Sequence, residues 1–477
     1  MPNNRRIYLL DPAHLSPETI AVTFAKTSRS PLSFDEISAE LSDKSSSEFH
    51  EKWVVGYGHS SVAEHAVLHI AAENVSRLAI ECIESNRLAS YTEKSSRYQV
   101  WDADHFYRPQ EFQSSPLADL YVKTCSDLFQ TYETSFSEIS KYLKKTLSKK
   151  PGESDRRFQA RIRSTCADSC RYLLPASALA NVGISINARA LEHAICKMLS
   201  HPLQEVRQIG EEIKNHALEH VPTLVKYAQP NAYLMQLDKK EFPFQKKSVS
   251  ANQTEQNWCS CVVHEQNAQA HILAALIVRT STLSFNDALH ILKQMNKTQK
   301  AALLHDFTEG LELHDQPPRE FEYGNVIFDL VIDQGAYFEL KRHRMMTQTV
   351  KPLTPYLGFA LPKLFEKTDL SGLFVDMMRK THKAYEKLAE HERYAASYVL
   401  PNAFNRQVLI QTNLRSAIHL IKLRCAENAH FAIRRPILRI AEILQENFPA
   451  FSSLLSPCTD ETWQSVQQEN FMHTRHF

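Results

Sequence analysis

A chain of 477 residues can bury more than one hydrophobic core, and 43% hydrophobic with 23% charged residues is the composition of an ordinary soluble protein. Its 55 basic and 54 acidic residues leave a formal net charge of +1, so nothing global calls for nucleic acid and any anion site must be local. Nine scattered cysteines without paired CxxC spacing argue for a reduced compartment and against a disulfide scaffold or a structural metal.

Arg6 to Leu10 reads as a short strand, and Ile7 to Leu10 before Asp11 is too short for a signal peptide. No apolar run reaches the roughly 18 residues of a membrane span. Ser16 to Ala25 is expected as a helix, with Ser16 as cap, Pro17 first and Glu18 in its first turn. Ser47 to Val55 is a second helix candidate. Gly56-Tyr57-Gly58 then runs into His59 and is no dinucleotide fingerprint. His59, Glu64 and His65 precede the alternating run from Val67 to Ile70, and lack a third ligand for a metal. Cys82 lies in an apolar helix-like run and reads as buried and inert.

Leu117 to Leu147 is the longest periodic segment, with Leu120, Leu128, Tyr132, Ile139 and Leu143 marking one helix face. Arg157 to Tyr172 is expected as a helix stopped by Leu173-Leu174-Pro175. Ser185 to Leu199 and Leu203 to Leu218 are two more. Residues 229–257 are polar, carry Pro230 and Pro243, and read as a linker between modules 1–228 and 258–477.

The second module repeats the first. Phe24 to Phe34 (FAKTSRSPLSF) matches Ile277 to Phe285 (IVRTSTLSF), each between a helix and an Asp-containing turn. A long helix recurs near Leu373 to His391, and Val399-Leu400-Pro401 repeats Leu173-Leu174-Pro175. Ile186 to His193 faces Thr412 to His419, with Asn187 and Arg189 answering Asn413 and Arg415.

The chemistry concentrates in Arg342-His343-Arg344, after the apolar run Val326 to Leu340. Arginine's rigid donor fork suits phosphate, although such a cluster also serves as a solvated cap. Asn413, Arg415, His419 and Arg424 fall within about three helical turns, as a binding face or as surface polarity. No Ser-His-Asp set and no cysteine beside a base is present in order or context.

On these residues the sequence resembles the flavin-dependent thymidylate synthases, repeated twice. Their signature is Arg-His-Arg followed by spaced serines and an Arg-Tyr. The first copy matches at Arg87, Ser90, Ser95, Arg97 and Tyr98, with Ser85-Asn86 in place of Arg-His. The second matches at Arg342, His343 and Arg344, with Thr347 for serine, and departs at Pro352, Thr354 and Pro355. The upstream element is kept at Gly58, His59, Glu64 and His65, and its second-copy counterpart near Pro318 to Glu322 reads as having lost Glu-His. Arg171 to Pro175 keeps an Arg-x-x-Leu-Pro element that becomes Ser397 to Pro401. Leu423-Arg424 in the second copy answers Lys197-Met198 in the first.

The resemblance implies an α+β fold in two copies, each an antiparallel sheet with long helices. It implies FAD as cofactor, with dUMP, methylenetetrahydrofolate and NADPH as substrates, in a cytoplasmic homodimer that mimics a tetramer of single copies. Arg97 and Arg424 would be catalytic. Ser95, Arg97, Arg171 and Arg424 would hold dUMP. His65, Arg87, Arg342, His343, Arg344, Asn187, Arg189, Asn413, Arg415 and His419 would hold FAD. Because the losses are complementary, one site built from both copies is expected. The alternative is a nucleotide- or flavin-binding relative without catalysis.

Overall fold

Side chains that alternate in polarity build strands here, and those repeating every three or four residues build helices. The computed structural model describes residues 6–56, 60–97, 99–113, 116–240, 258–312 and 314–472. The chain divides into two units: residues 1–95, 106–118 and 177–245, and residues 96–105, 119–176 and 246–477. The units do not follow the sequence copies, because residues 119–176 of the first copy belong to the second unit.

The first unit holds a three-stranded antiparallel sheet of β1 (Val67–Ser76), β2 (Ala89–Glu93) and β3 (Leu179–Asn187) in the order β1-β3-β2. The second holds β4 (Cys259–His264), β5 (Asn325–Asp333), β6 (Thr347–Val350) and β7 (Asn405–Asn413) in the order β4-β5-β7-β6. Both are α+β. The repeat is kept to the residue. Val67 faces Asn187 as Asn325 faces Asn413, and Ser90 faces Ser185 as Thr347 faces Gln411. Strand β1 has one residue more than β5, and a bulge between Ala72 and Val75 absorbs it, with Asn74 at φ 54°.

Each sheet leads into helices of the same plan. Ser76 and Asp333 cap the helices Arg77–Ile83 and Gln334–Leu340, accepting from the amides of Ala79 and Ala336. Asn187 and Asn413 cap Ala188–Leu199 and Leu414–Arg424 in the same way. Phe328, Leu330, Val408 and Ile410 are fully buried in the second sheet, each worth roughly 1.5–3 kcal/mol of burial. In the second unit the two proline stops meet: Pro175 bridges Pro401, and Ala176 N–H and Asn402 N–H donate to the carbonyls of Leu400 and Leu174. Equivalent segments of the two copies thus pair antiparallel, a local twofold within one chain.

Several expectations need correction. Arg6 to Leu10 is irregular, with Ile7 and Leu9 exposed, because no strand pairs with it. The helix expected at Ser47–Val55 starts at Asp43 and ends at His50, then widens into the π-turn Glu51–Gly56. Ser185–Asn187 is the end of β3, and the helix starts only after the Asn187 cap. The Asp-containing turns are capped helices, Phe34–Ala39 and Phe285–Gln294, closed by the Ser33–Glu36 and Ser284–Asp287 boxes. Cys82 is half-buried. The expected linker contains the helix Ala232–Lys239, and its residues 241–257, like Gly58, His59 and Tyr98, lie outside the described residues. The helices Pro17–Lys26, Ala118–Thr146, Asp155–Cys170 and Gln204–Leu218 stand where the periodicity places them, within a few residues. Among the described residues no helix is long and apolar enough to cross a membrane.

Candidate functional site

Charge gathers at one corner of the second unit. The helix Gln334–Leu340 brings Glu339 to its last turn, and Arg342-His343-Arg344 follow before β6. The helix Leu414–Arg424 delivers Arg424 from its own last turn. Arg424 donates from Nε to His343 Nε2 at 2.8 Å and from Nη1 to Glu339 Oε2 at 3.1 Å. Arg342 Nη1 lies 3.8 Å from the same Glu339 oxygen, and Arg171 Nη1 lies 3.8 Å from Glu339 Oε1. Arg171 comes from the first copy, from the short turn that ends Asp155–Cys170. It is 2% exposed, donates from Nη2 to Gly335 O at 3.1 Å, and its Nε and Nη1 find no hydrogen-bond acceptor. A Cβ at Gly335 would stand 3.0 Å from Asp333 Oδ1, a tight contact, and 3.5 Å from Arg171 Nη2, an ordinary one, so the glycine chiefly leaves room for the capping carboxylate. Arg97, also from the first copy, forks onto Asp168 at 2.9 and 3.3 Å and donates to the Asn428 carbonyl at 3.0 Å.

The electrostatics follow from burial and crowding. Burial pushes the Glu339 carboxyl up, but Arg342, Arg171, Arg424 and Arg97 outweigh it and hold the group below its ordinary value. Burial, with Arg424 and His419 beside it, pushes His343 down to about 3. His343 is therefore neutral at pH 7, accepts at Nε2, and carries its proton on Nδ1. His430 is also neutral, driven down by burial and by Arg171 and Arg97; its Nδ1 accepts from Ala432 N–H and its Nε2–H donates to the Asp168 carbonyl. Burial raises the helix-capping Asp333 to about 6, against the pull of Arg171 and Arg435. Four guanidinium groups face two carboxylates, Glu339 and Asp168, so the corner keeps an excess of positive charge suited to a polyoxygen anion.

The model of the family described as thymidylate synthase complementing protein matches the chain twice, over residues 11–223 and 262–450. The chain belongs to this family, in two copies. A UPF0159 protein of Chlamydia muridarum is 29% identical over 443 residues, 89% of this chain and 83% of its own length. A UPF0159 protein of Thermoplasma acidophilum is 26% identical, covering 87% of this chain and 89% of its own. The flavin-dependent thymidylate synthase of Clostridium tetani is 25% identical over 222 residues, 45% of this chain and 84% of its own length, the extent of one copy.

Of the residues singled out in sequence, Arg97, Arg171, Arg342, His343 and Arg424 stand at this family corner. His419 borders it, its ring 6.1 Å from that of His343 and its Nδ1 2.9 Å from Gln316. Arg344 is half-buried in the same turn. Arg415 donates to the Pro317 carbonyl at 2.8 Å and pairs with Glu322 at 3.4 Å. In the first unit Arg189 pairs with Glu64, His65 is exposed against the Phe24 ring at 5.0 Å, Arg87 is exposed, and Ser95 is half-buried. Asn187 and Asn413 are helix caps, which engages their side-chain oxygens.

One sequence reading is half wrong. Glu322 is the counterpart of Glu64: each stands three residues before its strand and pairs with the arginine two residues past the Asn cap. Only His65 is replaced, by Tyr323. Glu339, Asp168 and His430 were not read as site residues. A lone carboxylate has no sequence pattern, but Glu339 in the last helical turn precedes Arg342 by three, a spacing that places an acid beside a base.

The first unit holds the same corner with other residues. Cys82, Ser85 and Asn86 stand where Glu339, Arg342 and His343 do. Lys197 donates to Ser85 Oγ at 2.5 Å and to Asn86 Oδ1 at 2.8 Å, and burial lowers its pKa against the effect of Cys82.

Proposed function

We infer that the chain is an FAD-dependent thymidylate synthase that methylates dUMP reductively to dTMP, with methylenetetrahydrofolate as carbon donor and NADPH as reductant. One observation carries the reading: Arg97 and Arg171 of the first copy share one corner with Arg342 and Arg424 of the second, around Glu339. The copies, 1–228 and 258–477 joined by 229–257, complement each other there. Two chains pair as a cytoplasmic homodimer.

In this reading Arg97, with Ser95, takes the phosphate of dUMP. Exchanging the Asp168 partner for a phosphate keeps the fork geometry. The unsatisfied N–H groups of Arg171 fit the carbonyl oxygens of a pyrimidine, since a buried donor without an acceptor costs about 1–3 kcal/mol. Arg424 steadies negative charge on the ring, already oriented by His343 and Glu339. Arg342, His343, Arg344, Arg415, His419 and Asn413 offer the cationic and polar groups that a flavin dinucleotide's pyrophosphate needs, and in the first unit Asn187, Arg189, Arg87 and His65 offer a second such set. Bound flavin supplies the hydride transfer that no side chain can perform. The neutral imidazole of His343 holds Arg424 without adding charge.

A second reading, a nucleotide-binding relative without catalysis, is favoured by Glu339 itself, which already neutralises part of the cluster. Incubation with FAD followed by desalting, and titration of dUMP into the product, separates the readings. A retained flavin spectrum, dUMP heat and tritium release from 5-labelled dUMP are expected. Flavin and dUMP binding without tritium release would leave the non-catalytic reading, no flavin retention at tens of micromolar would remove the enzyme, and the absence of dUMP heat as well would remove both.

A further inference from the structure

Each unit carries a cleft beside the first helix of its copy. In the first unit it lies between the end of Pro17–Lys26, the π-turn Glu51–Gly56 and the short turn Ser60–His65, with a volume of about 630 Å³. In the second it lies between Ala268–Thr280, the start of Phe285–Gln294 and the short turn Arg319–Tyr323, with a volume of about 870 Å³. The two clefts are equivalent in sequence. Lys26 and Arg279 hold the same place in FAKTS and IVRTS, and Glu64 and Glu322 are the counterparts already described. Counting back from these glutamates sets Val62 against Glu320 and Ser61 against Arg319.

Both volumes suit a small molecule, since ligand clefts run to about 300–1,000 Å³, so charge is what separates them. The first cleft has the cations Lys26 and Arg29. Its one carboxylate among the described residues, Glu64, is already paired with Arg189. The Arg29 guanidinium lies over the Trp53 ring at 4.1 Å, with the Phe49 ring 6.2 Å from that of Trp53. Ser30 Oγ accepts from Leu32 N–H at 3.3 Å and keeps its own proton to donate. In the second cleft Arg279 pairs with Glu320 at 3.2 Å, and Arg319 and Arg415 share Glu322 at 3.4 Å each. Its wall charges cancel, and the carboxylate that cancels Arg279 stands where the first copy has Val62.

A planar base stacks on aromatic and guanidinium faces, and phosphate oxygens take lysine and hydroxyl donors. We propose that the first unit's cleft binds the adenosine diphosphate end of a dinucleotide, with the base on the Arg29–Trp53 stack and the phosphates on Lys26 and Ser30, and that Glu320 has removed this capacity from the second unit's cleft. FAD and NADPH, both used in the proposed reaction on which this assignment rests, share that end. Each chain then carries one such site, although it carries two copies of the fold. An anion entering the second cleft meets a carboxylate and an arginine that is already engaged.

Calorimetric titration of ADP into the full-length chain tests the assignment. One ADP per chain is expected. Arg29→Glu, at an exposed position that spares the fold, should weaken it at least tenfold, and Val62→Glu, which copies the second unit, should do the same. Arg279→Ala should change it less than twofold. Two ADP per chain, no heat at about 1 mM ADP, or equal losses from Arg29→Glu and Arg279→Ala would overturn the proposal. Competition identifies the source: displacement of ADP by FAD assigns the cofactor's end, displacement by NADPH the reductant's, and displacement by neither overturns the proposal. ADP bound by a chain that retains no FAD counts against the proposed reaction alone. FAD retained by a chain that binds no ADP counts against this site alone.

Discussion

The corner around Glu339 and the corner around Cys82 sit on the same scaffold and carry different side chains. The strand register, the caps at Ser76 and Asp333, and the caps at Asn187 and Asn413 are shared. The side chains on that scaffold are not. Where the second unit has Glu339, Arg342, His343 and Arg424, the first has Cys82, Ser85, Asn86 and Met198, with Lys197 in the place of Leu423. The second corner keeps excess charge and unsatisfied donors, whereas in the first a lysine is consumed by a hydroxyl and an amide of its own chain. Caps and register maintain a fold whether or not anything binds. Uncompensated buried charge is costly, so it is retained where a ligand offsets it.

The sharpest way to break the comparison is to remove the central carboxylate. Glu339→Ala leaves Arg171 and Arg424 without their shared counter-charge in a site where Arg171 is 2% exposed. Breaking a buried pair from one side costs about 3–5 kcal/mol. Cys82→Ala at the matching position removes one half-buried sulfur and should cost under about 1 kcal/mol. Denaturant unfolding followed by fluorescence checks both. Equal costs would mean that Glu339 carries no more load than its counterpart.

Ligand binding sharpens the same contrast. Arg97→Ala and Arg424→Ala should each weaken dUMP by about ten- to a hundredfold, the loss of one charge-assisted bond of roughly 1.5–3 kcal/mol. Thr354→Ala and Met198→Ala, at the corresponding places of the other copy, should change it less than about threefold. Calorimetric titration of the four FAD-incubated variants decides it. Small and equal effects would remove the composite site.

The repeat was legible in sequence because turn and cap chemistry is local: Asn-x-Arg, Leu-Pro and the Ser-capped starts survive in both copies. The strands were mostly missed. Burial in strands β5 and β7 alternates, but apolar residues such as Ile327, Val331 and Leu409 also stand on the less buried face, so Val326–Ile332 and Val408–Ile410 read as apolar runs without a decisive period. Arg171 was recognised by its motif, but its partners were not, since Glu339 and Gly335 lie far along the chain and only folding brings them to it. Arg6–Leu10 shows the converse, a local strand signal that no strand of the described residues pairs with.

A third contrast lies in acid. The unfolded chain protonates a histidine near pH 6.5, while folded His343 resists until about 3. The unfolded state therefore binds more protons between these values, and stability falls as pH drops through that window. At pH 5 the loss from this group is about 2 kcal/mol, at 1.36 kcal/mol per unit. His343→Asn installs the residue that the first copy carries at Asn86. It should flatten this part of the pH profile, leaving the contributions of His430 and His201, the latter held near 4 by burial. Unfolding free energies at pH 5 and 7 for both proteins test the sign: a variant as acid-labile as the unsubstituted chain would refute the assignment.

The smallest effect should be the same in both copies. Asn187 and Asn413 each accept from the amide three residues on, at 2.9 and 2.8 Å, and start equivalent helices. Replacing either with alanine removes one cap bond and should cost about 1 kcal/mol of stability. If capping is their whole role, the two variants will match each other in unfolding free energy, and neither will alter FAD retention beyond that loss. If FAD also contacts them, retention will fall in a variant more than its stability accounts for, and most at Asn413, whose helix ends in Arg424. Asn→Asp resolves the two contributions. Aspartate caps as well as asparagine, so it restores stability, but it brings a negative charge toward an anionic cofactor. Recovered stability with lost flavin would assign binding to that asparagine. Recovery of both would confine it to the scaffold that the two copies share.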